Sequence, residues 1–363
     1  MRPASAGLGL LIASFAIRAA AVPVSLSVPA SDPAIVYEGR TASGPDGSVR
    51  MGFPGVTVHL RFRGESLAMR TRATLGPLYF DASVDGAPYR RVRIEAAEGV
   101  TPVATGLAPG PHTLELVRLN ESFQGVCTLE GFELGPAGAL LRPPALPARK
   151  LMFIGDSITC GEMIGYRPGR SLEEAQVPEN SDARLSYGML LARRLGAQCN
   201  LVSYGGRGVI RDWQGIQATN NAPQFYELAL PDDPASLWDA ARHVPDAIVF
   251  ALGQNDFSSG IPDETEFVNA YVEFVRRVHA DAPHAFIFLM DSPMLDDDGA
   301  HGPRRSVLRF YLRQIAAKLH DPRVALAPVR YTSGVPGNGH PTGRDHVAMA
   351  DELEPLLRRA LGW

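Results

Sequence analysis

Residues 150–161 have the sequence KLMFIGDSITCG, in which a short apolar run leads into a glycine and then into polar residues. Leu151–Ile154 predicts a buried strand, and Gly155 permits the tight turn after it. Ser157 is therefore expected at the tip of a strand, where a helix or turn should begin. An Asp-Ser pair at such a place is also a common helix cap. The pair alone therefore does not identify a catalytic site, and the loops at the ends of the other strands must be considered with it.

The same succession of apolar run, polar or glycine loop and amphipathic segment repeats after residue 150. Strands that alternate with helices predict right-handed βαβ units and a parallel sheet covered on both faces. Ligands of such sheets bind beyond the carboxyl ends of the strands, so the chemistry is expected in the loops after the runs. The further runs are Cys199–Ser203, Ala247–Leu252, Ala285–Met290 and Val324–Ala327, and the helix candidates lie near 186–196, 234–243, 264–280, 303–319 and 346–361.

Residues 22–135 show the pattern of an all-β domain. Apolar and polar side chains alternate from residue 56 to residue 62, which is typical of a half-buried strand, and Asp85-Gly86 is a hairpin-turn signal. A jelly-roll β-sandwich is the most economical interpretation. Residues 136–149 contain four prolines and indicate a stiff linker, so residues 150–363 form the second domain.

The composition of the chain limits the classes of protein to which it can belong. A chain of 363 residues is long enough for two domains, and 45% hydrophobic with 20% charged residues is ordinary for a globular protein. The net charge of −4 leaves no basic excess for holding nucleic acid. Three cysteines cannot form a disulfide scaffold, and whether Cys127, Cys160 or Cys199 pair stays open. The histidines are scattered and no Cys-x-x-Cys occurs, so no metal or other cofactor is expected.

Residues 1–21 are predicted to be a signal peptide. Arg2 supplies a positive start, Leu8–Ile17 is an apolar run too short to span a bilayer, and three small residues ending at Ala21 form a cleavage pattern. The mature protein is therefore expected to be secreted or periplasmic, with no stable membrane span. The alternative is that this segment remains attached as a hydrophobic anchor.

Three loops after later runs carry residues that suit a serine nucleophile. The glycines of the loop at 204–208 let backbone N–H groups approach a ligand closely, and Asn255 can aim its side-chain amide into the same crevice. Pro341 disfavours helical geometry at His340, so this imidazole lies on a fixed loop and is the natural base for a serine hydroxyl. Taken singly, each of these features is explained as well by an ordinary turn.

The order Ser157, Gly206, Asn255, His340, each in a loop after a successive strand, resembles the SGNH hydrolase superfamily, also called the GDSL esterases. The resemblance covers the whole second domain and implies a three-layer, flavodoxin-like α/β fold. It also implies that Ser157 is the nucleophile and His340 the general base. The oxyanion hole would consist of the backbone of Ser157 and Gly206 and the side chain of Asn255, with Gly205 as the alternative glycine.

A closer resemblance, to carbohydrate esterase family 2, extends over nearly all of the mature chain. It implies an N-terminal jelly roll packed on the SGNH domain and the removal of O-acetyl groups from plant polysaccharides. The stretches that carry it are GPHT at 110–113, NES at 120–122, GDSITCG at 155–161, GRGV at 206–209, GQNDFS at 253–258 and His340-Pro341.

The sequence departs from that family at the histidine. The family commonly shows Asp-Trp-His-Pro, whereas this chain has Asn338-Gly339 before His340, so the orienting carboxylate and an aromatic residue are missing. Asn338 and Asp345 are the candidate side chains to orient the imidazole. A backbone carbonyl of residues 334–339 is favoured over Asp345, because the start of the C-terminal helix should attract that carboxylate. Trp213 is equally suited to stack on a sugar face or to fill a plain structural role.

These observations predict an exported, monomeric serine esterase that deacetylates a carbohydrate through an acyl-enzyme and needs no cofactor. Two alternatives stay open. One is a GDSL-type lipase or thioesterase, and the other is a catalytically weak carbohydrate-binding protein on the same fold.

Overall fold

The computed structural model describes residues 25–169, 171, 177–217 and 219–363. The predicted signal peptide at residues 1–21 lies outside these residues. Within them, no helix combines the length and the apolar character that crossing a membrane requires.

The N-terminal domain consists of two six-stranded antiparallel sheets whose inner faces share one buried core. Its strands are β1 (Leu26–Pro29), β2 (Ile35–Glu38), β3 (Ala42–Ser43), β4 (Val49–Met51), β5 (Thr57–Arg63), β6 (Leu67–Ala73), β7 (Leu78–Val84), β8 (Arg90–Ile94), β9 (Gly99–Ala104), β10 (Pro111–Arg118), β11 (Cys127–Leu134) and β12 (Ala139–Leu141). One sheet has the order β3-β4-β11-β6-β9, with β1 also on β11. The other has the order β12-β5-β10-β7-β8, with β2 also on β5.

The sequence pattern of this domain corresponds closely to its strands. The predicted hairpin joins β7 to β8 through Asp85 and Gly86, whose φ values of 54° and 74° fit the two-residue turn that twisted strands favour. One boundary needs correction, because residues 139–141 of the predicted linker form β12 and pair with β5. The connection between the domains is therefore shorter than predicted and begins after Leu141. The jelly-roll connectivity stays a prediction.

The second domain is built on a parallel sheet in which all five predicted strands are present. They are β13 (Lys150–Gly155), β14 (Gln198–Ser203), β15 (Ala247–Ala251), β16 (Phe286–Met290) and β17 (Val324–Ala327). The order β14-β13-β15-β16-β17 is the flavodoxin-like order 2-1-3-4-5. The first strand thus lies between the second and the third, and this reversal opens a crevice beyond the carboxyl end of β13.

Helices cover both faces of this sheet. The helices are α1 (Ser157–Cys160), α2 (Val177–Asn180), α3 (Tyr187–Leu195), α4 (Ala222–Phe225), α5 (Gln254–Ser258), α6 (Glu264–Asp281), α7 (Arg304–Leu319) and α8 (Gly343–Leu361), with 3-10 turns at Ser122–Gln124, Ala183–Leu185 and Ala240–Arg242. Apolar residues of α6 and α7 share a core with one face of the sheet, and those of α3 and α8 share a core with the other. The predicted α/β architecture is thus present as three layers.

One predicted helix is wrong. Residues 234–243 contain only the 3-10 turn Ala240–Arg242. The side chains of Asp233 and Asp239 accept the N–H groups of residues two positions further on, at 3.1 and 3.0 Å. Such local bonds compete with a helix ladder, so the apolar spacing alone is misleading here.

The two domains pack on each other through buried contacts. The rings of Phe53 and Phe225 lie 6.4 Å apart across the boundary. Arg40 of the N-terminal domain is completely buried and donates to the carbonyl oxygens of Tyr226 and Leu228. A buried guanidinium held in this way fixes the orientation of one domain on the other.

The three cysteines are buried and free. Cys127 lies in β11, Cys160 in α1 and Cys199 in β14. The Cys160 thiol donates to Ser203 Oγ at 3.1 Å, and the Cys199 N–H donates to Glu38 of the N-terminal domain at 2.5 Å. The pairing left open by the sequence is thus resolved: none of the three forms a disulfide.

Candidate active site

Ser157 is the first residue of α1 and lies at the carboxyl end of β13. Asp156 caps this short helix, because its Oδ1 accepts the Ile158 N–H at 3.0 Å. Gly155 is required before the cap, since a Cβ there would lie 2.0 Å from Thr159 Oγ1. Ser157 is only 6% exposed, so a substrate reaches its hydroxyl through the crevice.

His340 faces Ser157 across this crevice. Its Nε2 lies 2.8 Å from Ser157 Oγ, and its Nδ1 lies 2.6 Å from Asn338 Oδ1. An amide oxygen only accepts hydrogen bonds, so Nδ1 carries the ring proton and Nε2 presents a lone pair to the serine hydroxyl. The loop is tightly folded, because a Cβ on Gly334 would lie 2.2 Å from the Gly339 carbonyl oxygen.

The partner that orients His340 differs from the favoured expectation. The expected backbone carbonyl of residues 334–339 is wrong, because the side-chain oxygen of Asn338 occupies Nδ1. Asp345 does not fill this place either. Its Oδ2 accepts from the N–H and the hydroxyl of Thr342, at 2.7 and 2.6 Å, and closes a capping box at the start of α8. Of the two candidate side chains, Asn338 alone bonds to His340.

Besides the Ser157 backbone, the candidate oxyanion donors lie on the loops after β14 and β15. Asn255, in the first turn of α5, directs its Nδ2 at the Arg207 carbonyl at 2.9 Å and at Asp156 Oδ2 at 3.4 Å. Gly206 has a φ of 75°. The alternative, Gly205, is engaged elsewhere, because its N–H donates to Glu121 at 2.5 Å. Within the described residues no hydrogen bond occupies the N–H of Gly206, so that glycine is the better candidate.

These residues line one cavity of about 760 Å³. Trp213 forms part of its wall, is 57% exposed, and donates its backbone N–H to the Gly206 carbonyl at 3.0 Å. Phe123 of the N-terminal domain is 44% exposed on the same cavity. The other lining residues are Glu162, Tyr204, Gly205, Arg207, Asp212, Gln214, Gln254, Ser258, Met294 and Asn338.

Buried carboxyl groups surround the crevice. Burial raises the pKa of Asp156 to about 7 and that of Asp256 to about 6. Asp256 accepts the backbone N–H groups of Val209 and Ile210 at 2.8–3.0 Å. It therefore fixes the loop beyond Gly206, which agrees with a bracing role and not with that of a base.

Sequence reasoning missed three residues of this site: Phe123, Glu121 and Glu162. Phe123 and Glu121 belong to the N-terminal domain, and only tertiary packing brings them to the crevice. Glu162 comes directly after the GDSITCG stretch. Its place directly after α1, the short helix that begins with Ser157, is a signal that it lies near the site.

Comparison with known proteins agrees with this geometry. The family described as carbohydrate esterase 2 N-terminal matches residues 37–144, and the GDSL-like lipase/acylhydrolase family matches residues 153–355. The second domain therefore belongs to the GDSL-like hydrolases. More particularly, the chain belongs to family 2 of the carbohydrate esterases and is a carboxylic ester hydrolase, as its relatives show.

An acetylxylan esterase/glucomannan deacetylase of Cellvibrio japonicus is 36% identical over 338 residues, which is 93% of this chain and 92% of that protein. The solved structure of a family two carbohydrate esterase from Cellvibrio japonicus has a TM-score of 0.88 at 35% identity, covering 94% of this chain and 99% of that one. A family two carbohydrate esterase from Clostridium thermocellum in complex with cellohexaose has a TM-score of 0.82 at 30% identity, covering 91% and 99%.

Proposed function

We propose that this protein removes O-acetyl groups from a plant polysaccharide or its oligosaccharides through an acyl-enzyme on Ser157. The observation that carries the proposal is the 2.8 Å contact between Ser157 Oγ and His340 Nε2, in a cavity that also contains Gly206 and Asn255. The name of the Cellvibrio relative, an acetylxylan esterase/glucomannan deacetylase, supports the choice of acetyl group and substrate. Export and a monomeric state remain predictions from the sequence.

The arrangement accounts for each step of the reaction. Ser157 Oγ attacks the acetyl carbonyl carbon while His340 Nε2 takes the hydroxyl proton. Negative charge collects on the carbonyl oxygen, where the N–H groups of Ser157 and Gly206 and the amide of Asn255 stabilise it. The ester C–O bond then breaks, and the sugar oxygen leaves with the proton from His340. Water, deprotonated by His340, then attacks the carbonyl carbon of the acyl-enzyme. The bond from this carbon to Ser157 Oγ breaks, His340 returns the proton to Oγ, and acetate leaves.

The character of the cavity supports a sugar over a lipid as substrate. The exposed ring of Trp213 provides an aromatic face of the kind on which a pyranose stacks. The polar lining residues Arg207, Asp212 and Gln214 offer hydrogen bonds to hydroxyl groups. A fatty acyl chain forms no hydrogen bonds with this polar part of the wall, so it would gain less from binding there than a sugar does.

The proposal is tested with wild type, Ser157→Ala and the exposed control Ser259→Ala. Release of acetate from 4-nitrophenyl acetate and from an acetylated xylo-oligosaccharide is measured, the latter by NMR. In other serine hydrolases loss of the nucleophile costs on the order of 10⁶ in kcat, and we expect Ser157→Ala to be essentially inactive. Ser259→Ala should match the wild type. Equal rates for wild type and Ser157→Ala would favour a binding protein and refute the proposal.

A further inference from the structure

The two nitrogens of His340 have partners of different charge. Nδ1 donates to the neutral amide oxygen of Asn338. This bond fixes the tautomer, so the chain avoids the loss of ~10⁴ in kcat that a wrong tautomer causes in a Ser-His-Asp triad. A neutral oxygen nevertheless provides little charge stabilisation when the ring becomes an imidazolium. The stabilising charge must therefore come from another direction.

Glu162 supplies a carboxylate on the opposite side of the ring. Its Oε2 lies 3.6 Å from His340 Nε2, the same nitrogen that contacts Ser157 Oγ. The Glu162 backbone N–H donates to the Ser157 carbonyl at 3.0 Å, so this residue is anchored close to the nucleophile. Its side chain is only 14% exposed, and within the described residues its one ion-pair partner is His340.

Two further carboxyl groups, those of Glu121 and Asp156, interact electrostatically with Glu162. Burial, with a contribution from the negative charge of Glu162, raises the pKa of Glu121 to about 8 and that of Asp156 to about 7. Both of these groups are more deeply buried than Glu162. Of these three carboxyl groups, Glu162 is the one that forms an ion pair with His340.

On the basis of the proposed function, we infer that Glu162 stabilises the His340 imidazolium in the transition state and replaces the charge of a triad aspartate from the Nε2 side. In the resting enzyme Nε2 is unprotonated, so the ion pair is absent. It forms when Nε2 takes the serine proton and is lost when that proton passes to the departing sugar oxygen. An interaction that exists only near the transition state raises kcat and leaves KM nearly unchanged.

The test measures kcat and KM of the full chain on 4-nitrophenyl acetate, a substrate without sugar hydroxyls. We expect Glu162→Gln to lower kcat about tenfold to hundredfold with little change in KM. Glu162→Asp, which keeps the charge, should lose clearly less. The matched control Glu130→Gln, in the N-terminal domain, should behave like wild type. Thermal unfolding of each variant shows whether the fold is intact.

A double-mutant cycle with Asn338→Asp separates charge stabilisation from a structural role. Asn338→Asp places a carboxylate on Nδ1, so Glu162→Gln should cost much less in that background than in wild type. An equal loss in both backgrounds, or a change confined to KM, would overturn the inference. Activity of the wild type and its absence in Ser157→Ala establish the esterase independently, so the two proposals fail separately.

Discussion

Asn255 is held in place before any substrate binds. One of its amide hydrogens is directed at the Arg207 carbonyl at 2.9 Å, and the other is held only loosely by Asp156 at 3.4 Å. The loosely held N–H is therefore available to an oxyanion. A donor that is already oriented needs no reorganisation when charge develops, and this is the property expected of an oxyanion hole.

We expect Asn255→Ala to lower kcat by ~10²–10³, with a much smaller effect on KM, because the bond strengthens only as negative charge develops. Steady-state kinetics on 4-nitrophenyl acetate measure this. Asn269→Ala, the same change at an exposed position of α6 outside the cavity, is the control and should leave kcat nearly unchanged. A rise in KM with kcat preserved would show that Asn255 is a ground-state contact.

Sequence reasoning about single residues identified residue types but not side-chain directions. Ser157 and His340 were predictable because motif and chain order fix them on loops at one edge of the sheet. The bond from His340 to Asn338 was not, because backbone carbonyls and side-chain oxygens of one loop are equally close in sequence. Glu162 was missed for the same reason, since the direction of its side chain depends on how the turn after α1 folds.

The elements that position the site were predicted best where burial is greatest. The central strands β13, β15 and β16 are buried almost throughout, so each contains a nearly uninterrupted apolar run that sequence alone reveals. The helix predicted at 234–243 is wrong because aspartate side chains accept hydrogen bonds from nearby backbone N–H groups there. The edge strand β12 was hidden because a proline-rich composition does not reveal pairing at a sheet edge.

The capping box of α8 gives a prediction for a single helix. Asp345 and Thr342 satisfy each other's backbone N–H groups at the start of this helix. Losing such a cap typically costs ~1 kcal/mol, so Asp345→Ala should lower the free energy of unfolding by about that amount in urea titrations. We expect kcat to change less than roughly tenfold, because Asp345 does not contact His340. A kcat loss of ~10³ with an intact fold would restore Asp345 as the orienting acid.

Across the whole molecule, the N-terminal domain takes part in forming the crevice. Glu121 accepts the Gly205 N–H at 2.5 Å, and Phe123 supplies part of the cavity wall. The loop that carries the candidate oxyanion glycine is thus braced by the other domain. The sequence patterns of the two domains do not specify this contact, because it depends on how the domains pack on each other.

Glu121 also makes stability depend on pH. Burial, and next the charge of Glu162, raises its pKa from the ordinary 4.5 to about 8. The folded protein therefore holds this proton more tightly than the unfolded chain. The resulting stability is fully present below about pH 4.5 and is lost as pH rises to about 8.

Glu121→Gln cannot titrate, so the Tm of wild type minus that of Glu121→Gln should decrease between about pH 5 and about pH 8.5. Thermal unfolding monitored by circular dichroism at several pH values measures this difference. The exposed pair formed by Arg93 and Glu95 offers a control, Glu95→Gln, whose Tm difference from wild type should stay nearly constant over this range. A constant difference for Glu121→Gln as well would contradict the assignment.

The three free, buried thiols have a practical consequence for monitoring motion in solution. Cys127 lies in the core of the N-terminal domain, Cys160 beside the nucleophile and Cys199 where β14 meets the other domain. A maleimide or another alkylating reagent reaches each sulfur only when its surroundings open. Peptide mapping of the alkylated protein over time would thus give three separate opening rates, for the β domain, the crevice and the domain boundary, without introducing any label by mutation.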